Sequence, residues 1–157
     1  MLNPIPSEVD VAVIGAGSAG LPAFRAAREH TDRVILIERG PHGTTCARVG
    51  CMPSKLLIAA AEAAHGMEIA PGFGIHPGSI SIDGEAVMER VRRERDRFVG
   101  FVLDGVDRID PEQKISGQAR FVEDSRLEIG NSRVRAGRVV IASGTSPAIP
   151  DFLEQVR

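Results

Sequence analysis

Apolar positions change their period several times along the chain, and each change marks an element. Val9–Ile14 (VDVAVI) is a short, β-branched run closed by glycine and reads as a buried strand. GAGSAG (15–20) follows, then LPAFRAAREH, an alanine-rich segment with helical spacing. VILI (34–37) is a second buried strand, ended by Glu38. Strand, glycine turn, helix and strand within about 30 residues make a βαβ unit, which requires a parallel sheet and a right-handed crossover. KLLIAAAEAAH (55–65) consists of good helix formers, and 71–77 holds turn residues and reads as a surface loop. The segment 84–109 predicts another helix, with Val87, Val91, Phe98, Val102 and Val106 on one stripe. The period then drops. Residues 115–122, 126–129 and 132–135 are short runs with turns at Glu123-Asp124 and Gly130-Asn131, and they predict an antiparallel β-meander. VVIA (139–142) is the last buried strand, stopping at Ser143-Gly144-Thr145. The fold class is α/β, a parallel sheet plus a small antiparallel meander, with no internal repeat and no low-complexity segment.

Composition narrows this picture only a little. With 157 residues, 43% of them hydrophobic and 25% charged, the chain is one globular domain able to bury a core. Its net charge of −2 gives no reason to expect nucleic acid. The most charged stretch, Glu89–Arg97, mixes signs and reads as a solvated helix face. No apolar run reaches the ~18 residues that a membrane span needs. The start, MLNPIPSEVD, lacks the layout of a secretion signal, which favours a reducing cytoplasm.

GxGxxG alone is weak, but a strand precedes this one, a helix opens from it, and an acid follows about 20 residues on, at the end of the next strand. In the Rossmann-like reading Gly15 makes the tight turn, Gly17 admits a pyrophosphate, and Gly20 lets helix and strand pack closely. Free N–H groups at the helix start face the phosphates, and Glu38 would accept bonds from a ribose diol. An acid there repels a 2′-phosphate, which disfavours NADP at this site. The motif does not choose between FAD and NAD.

Both cysteines fall in GTTCARVGCMPSK (43–55), five positions apart. Two inert thiols, a metal site and a redox disulfide are the three readings. A metal site wants about four ligands, and only His42 is near; inert thiols would need no special flanks. If Cys46 and Cys51 pair, the backbone between them must be a distorted turn. Five residues of ideal helix rise about 7.5 Å, beyond the usual Cα separation in a disulfide of about 6.8 Å. Gly50 is the residue that permits this. Pro53 suits a first helical turn. A helix N-terminus and Lys55 would favour the thiolates, so the flanks serve thiol–disulfide exchange.

The segment resembles the active-site signature of the flavin disulfide reductases, a class with dihydrolipoamide dehydrogenase, glutathione reductase and mercuric reductase among its members. Gly43, Thr45, Cys46, Val49, Gly50, Cys51, Pro53, Ser54 and Lys55 carry the match, supported by GAGSAG, Glu38, the long helix, the meander and IASGTSPAIP (141–150). The resemblance implies that residues 1–150 form an FAD-binding domain. Gly15, Gly17, Ser18, Gly20, Glu38 and Arg39 would lie along the pyrophosphate and adenosine. Ala119 would sit by the adenine, Ser143 and Gly144 near the cofactor, and Thr45 and Lys55 at the flavin end. It further implies a Cys46–Cys51 disulfide, with Cys51 against the isoalloxazine and Cys46 facing the substrate.

Family members run to about three times this length. The resemblance therefore implies that 151–157 begins a linker to an NAD(P)-binding domain, followed by a dimerisation domain with a His–Glu pair, and that the parent is a homodimer. The chain alone is expected not to complete a catalytic cycle. His42 lacks an orienting acid and reads as a loop residue. Ser54 fits the lipoamide and mercuric branches, whereas Ser18 and Arg25 coincide with positions that glutathione reductases use for their peptide. Ser54 weighs more, so the expected partner is a small dithiol or disulfide, a lipoyl group first, with glutathione- or mercuric-type reduction as the alternative. A flavin-binding but non-catalytic polypeptide is the reading from another class. The family usually has Gly where Thr44 stands and Asn where Arg48 stands; Arg48 is expected to add charge beside Cys46.

Overall fold

A computed structural model describes residues 5–146 and 148–156. Where the chain start, the exit motif or the linker touches 1–4, Pro147 or Arg157, those expectations lie outside the described residues. The elements run β1 (Glu8–Ile14), α1 (Gly20–Arg28), β2 (Val34–Glu38), α2 (Thr45–Val49), α3 (Cys51–Ile69), α4 (Gly84–Asp107), β3 (Lys114–Ser116), β4 (Ala119–Glu123), β5 (Arg126–Ile129) and β6 (Ser132–Ile141). Short 3₁₀ turns cover Ala70–Phe73, Pro111–Gln113 and Asp151–Val156.

All six strands form one sheet in the order β3-β2-β1-β6-β5-β4. The β3-β2-β1-β6 part is parallel and β6-β5-β4 is antiparallel, which agrees with the α/β class. Two boundaries differ from expectation. Residues 115–122 are not one strand but two, β3 and β4, and these lie at opposite ends of the strand order. Only Gly117 and Gln118 separate them, a reach of roughly 11 Å at most. A flat six-stranded sheet would be about 24 Å wide. The antiparallel ribbon must therefore curl back across the parallel strands. The core confirms it: Ile35, Ile37 and Ile115 pack with Leu127, Ile129 and Val134 of β5 and β6.

The second difference is β6, one strand of ten residues where two were expected. The expected gap between them, 136–138, holds Gly137. Instead β6 runs flush along β1 there, and a Cβ on Gly137 would stand 3.1 Å from the Asp10 carbonyl oxygen. The strand pairs antiparallel with β5 in its first half and parallel with β1 from Arg135 to Ile141.

On the other face of the sheet, Val13, Leu21, Phe24, Leu36 and Val106 bind α1 and α4 to β1 and β2. Val34 to Ile37 are each no more than 2% exposed, as a strand covered on both faces must be. α4 starts where Asp83 accepts a hydrogen bond from the Ala86 N–H (3.0 Å), a side-chain N-cap. Its expected stripe turns inward, with Val91 and Val106 buried and Val87, Phe98 and Val102 half-buried. α3 begins at Cys51, four residues earlier than its helix-forming run, and contacts α4 although none of its own residues is buried.

Candidate functional site

Backbone hydrogen bonds tie the carboxyl ends of the parallel strands into a rim. The Gly15 N–H donates to Ile37 O (2.8 Å), Ala142 N–H to Ile14 O (2.8 Å) and Gly117 N–H to Glu38 O (2.9 Å). A cleft of about 360 Å³ opens on this rim, lined in part by Gly15, Glu38, Arg39, Ala119, Ser143 and Gly144. Six of the residues expected at a cofactor thus meet in one place. It is also where an open α/β sheet takes ligands, outside the strand ends beside the first strand.

The three glycines of the turn differ in what they do. A Cβ on Gly15, whose φ is +104°, would lie 2.2 Å from Ala142 O, and one on Gly20 would lie 1.7 Å from Gly15 O. Those two are required by the chain's own packing. A Cβ on Gly17 would meet nothing within 4 Å. No contact inside the protein requires Gly17 to lack a side chain. No side chain caps the start of α1 either; its Leu21 N–H turns back to Gly17 O (3.1 Å) and Pro22 has no N–H, which leaves the Gly20 N–H for another acceptor. Glu38 points inward as well as toward the rim. Its Oε2 accepts from Ala16 N–H and its Oε1 from Gly40 N–H, both at 2.7 Å, so the carboxylate latches the glycine turn and the loop after β2. Each oxygen keeps a second lone pair for a ribose hydroxyl.

Beyond that loop comes the sulfur pair. Thr44 caps α2, its Oγ1 accepting from Ala47 N–H at 3.1 Å. Thr44 has φ +58° and Gly43 has φ +105°, two successive residues in a region that a β-branched side chain rarely occupies. The cap offsets the strain, which accounts for a Thr where the resembling family has Gly. Helix α2 breaks at Gly50 (φ −124°, ψ −110°) and α3 starts at once. A Cβ on Gly50 would press 3.2 Å from Thr45 O, so the absence of one lets the two short turns close on each other. The distorted turn expected between the cysteines is present.

The pair stands in its two-thiol form, with Cys46 half-buried and Cys51 exposed. A hydrogen bond with the Cys51 side chain, then burial, then repulsion from Cys51 push the Cys46 thiol above its ordinary value. Lys55 opposes this. The expectation of a favoured thiolate therefore fails at Cys46 in the reduced pair. The physical reason is that two neighbouring sulfurs share a proton and resist a second negative charge. Arg48 is not among the charges acting on Cys46; the stem of its side chain lies across Gly43 instead. Removing Cys51 as Cys51→Ala takes away the largest raising cause. Cys46 should then be alkylated faster at neutral pH, and its rate–pH curve should move to lower pH. An unmoved curve would contradict the shared-proton picture. Among the described residues no group of three or more His, Cys, Asp or Glu gathers to hold a metal.

The pattern of one family, described as pyridine nucleotide-disulphide oxidoreductase, matches residues 9–156. The chain belongs to this family. FAD and a pyridine nucleotide are the family's cofactors. Among relatives of this oxidoreductase chain, a mercuric reductase from Streptomyces lividans is 36% identical over 159 residues, covering 94% of the chain and 33% of that protein. A mercuric reductase from Serratia marcescens is 37% identical over 152 residues, covering 90% and 32%. A glutathione reductase from Burkholderia cepacia is 32% identical over 143 residues, covering 91% and 32%. The chain thus spans about a third of the length of these relatives. In fold it is similar to the HOCl-induced flavoprotein disulfide reductase RclA from Escherichia coli. The TM-score is 0.67 at 20% identity, over 90% of this chain and 29% of that one.

The residues present fit a dinucleotide: the cleft offers the Glu38 carboxylate, and the open space at Gly17 and the side-chain-uncapped start of α1, which do not line the cleft, adjoin its Gly15 in sequence. Thr45 and Lys55 are exposed and do not line this cleft, and Ser18 is exposed at the start of α1. Sequence reading missed Gly117, Gln118, Thr145 and Ser146 on the rim. The β3–β4 corner could have been suspected from the Gly-Gln pair inside an otherwise strand-like run. No helix among the described residues is long and apolar enough to cross a membrane.

Proposed function

We propose that this chain is the FAD-binding portion of a flavin disulfide reductase whose parent passes electrons between NAD(P)(H), FAD, the Cys46/Cys51 pair and an external dithiol or disulfide. The observation that carries this is the neighbouring thiol pair at a broken helix start, on the connection that leaves the cofactor rim at Glu38. Gly15, Gly17 and Gly20 would seat the pyrophosphate, Glu38 the adenosine ribose, Ala119 and its neighbour Gln118 the adenine side, and Thr45 and Lys55 the flavin end. FAD, when bound, supplies the relay of electron pairs between nicotinamide and sulfur.

The residues present carry the sulfur half. The Cys46 thiolate attacks one sulfur of a disulfide substrate, forming a mixed disulfide and releasing the first thiolate. The Cys51 thiolate then attacks Cys46 Sγ, releasing the second thiolate and closing the Cys46–Cys51 disulfide. The pair gives up two electrons, and the two departing thiolates take up two protons. The Cys46 thiol, pushed up chiefly by Cys51, gives up its proton before the attack, and the departing thiolates take up protons in turn.

The lipoyl group is the finer substrate reading that Ser54 suggests. Ser54 Oγ, however, donates to Cys51 O within its own helix (3.1 Å), which serves α3 rather than a substrate. Relatives that are mercuric reductases at 36% and 37% identity favour a second reading, in which a thiophilic metal ion is the substrate of the thiol pair. Residues 1–150 are the cofactor domain of a homodimeric parent, and 151–157 begin the linker onward. A pair that must cycle through its dithiol suits the reducing cytoplasm. Titrating the chain with FAD tests the reading: saturable binding without NAD(P)H-driven turnover is the expected result. Absence of binding, or full turnover by the chain alone, would count against it.

A further inference from the structure

The order of the parallel strands says where the base of a bound dinucleotide would lie. Its pyrophosphate belongs to the glycine turn after β1 and its ribose to the acid that ends β2. The next strand outward is β3, so the base comes to the corner that follows it. That corner is Gly117-Gln118-Ala119, and all three residues line the cleft together with Glu38 and Arg39. It is firmly set. The Gly117 N–H donates to Glu38 O (2.9 Å), and a Cβ on Gly117 would lie 2.8 Å from Cγ2 of the buried Ile129. Ala119 pairs with the same Ile129 across β4 and β5. Glycine offers no side chain and alanine only a methyl group. Gln118 is exposed, and it is the residue of the corner whose side chain can meet a base with polar atoms. Among the described residues that line the cleft, its carboxamide is also the one planar group with a fixed donor beside a fixed acceptor.

We propose that Gln118 sets a preference for adenine, its amide N–H donating to the purine N7 and its carbonyl oxygen accepting from the 6-amino group. The inference rests on the reading of the cleft as the FAD site, and it assigns the choice of base to a side chain of this chain. A 6-oxo purine breaks the pair, because an acceptor then faces the Gln118 carbonyl oxygen. The test is flavin-fluorescence titration of the chain with FAD and with flavin hypoxanthine dinucleotide, in which an oxygen replaces the 6-amino group. The unaltered chain should bind FAD more tightly by about tenfold or more, the scale of one bidentate base contact. Gln118→Leu keeps similar bulk without polar atoms. It should weaken FAD binding about tenfold, hold the hypoxanthine dinucleotide within about threefold of the unaltered chain, and so erase the preference. An unaltered chain that binds both dinucleotides equally overturns the proposal. A preference that survives Gln118→Leu also overturns it, since the base is then read by other groups. Equal losses for both dinucleotides in Gln118→Leu would mark a general disturbance of the corner and overturn it as well. If the unaltered chain binds neither dinucleotide, the FAD reading falls too; if it binds FAD and one of the other contrary results appears, this inference falls alone.

Discussion

Gly20→Ala should leave little folded protein, whereas Gly17→Ala should fold normally and fail to hold FAD. The two substitutions add the same methyl group three residues apart, and the structure gives them opposite consequences. At position 20 the methyl would sit 1.7 Å from the Gly15 carbonyl oxygen, backbone against backbone, with no flexible side chain to yield. The ~1–3 kcal/mol usual for overpacking is a lower bound for such an overlap. A domain of this size loses about 2–4 °C of melting temperature per kcal/mol, so a fall of about 10 °C or outright misfolding is expected. Gly15→Ala should behave in the same way, with its positive φ adding to the clash with Ala142 O. At position 17 the methyl meets open space. The apo chain should keep its melting temperature or gain slightly, since Ala restricts the unfolded chain more than Gly does. FAD affinity should fall by about 10- to 100-fold, the equivalent of about 1–3 kcal/mol of overlap with the ligand. Melts of the apo chains and flavin titrations separate the two effects. A destabilised Gly17→Ala, or a Gly20→Ala as stable as the parent, would show that the turn is not divided in this way.

The second large effect concerns the two sulfurs, which should prove unequal in the FAD-loaded chain. Cys46 keeps its proton because Cys51 shares it and because part of its surface is buried, while Cys51 is exposed at the first position of α3. In the roles proposed above, Cys46 meets the substrate and Cys51 faces the cofactor. Cys46→Ser should abolish disulfide exchange with external substrate. Cys51→Ser should leave mixed disulfides trapped on Cys46, because the resolving attack is missing. Mass spectrometry after adding a small disulfide should find a lasting adduct only on the Cys51→Ser chain.

The parallel half of the fold was legible in the sequence because two strong signals coincide there. VILI is apolar at every position, which only a strand covered on both faces tolerates, and the glycine turn joins strand to helix at a fixed spacing. The antiparallel half was legible in kind but not in its joints. Nothing local in ISGQAR says that β3 and β4 part company at Gly117, because the corner depends on where β2 and β6 lie in space. The continuity of β6 through Gly137 was not legible for a related reason: a glycine that lets two strands approach has the same letter as one that breaks a strand. In the site, chemistry-bearing residues were readable from spacing, and the cleft gathers six of them. Contacts were not. The inward latch of Glu38, the turning away of Arg48 and the orphaned Nδ1 of His42 all depend on side-chain directions, which a single sequence does not carry.

Most of this converges on one geometric statement, that Cys51 Sγ reaches the isoalloxazine of an FAD seated on the Gly15–Gly20 turn. The absorption spectrum of the FAD-loaded chain, recorded anaerobically before and after a small dithiol is added, tests it most directly. A broad long-wavelength band should appear on reduction of the pair, persist in Cys46→Ser and vanish in Cys51→Ser. A spectrum of ordinary bound flavin that the dithiol leaves unchanged, or a band that survives Cys51→Ser, would contradict it.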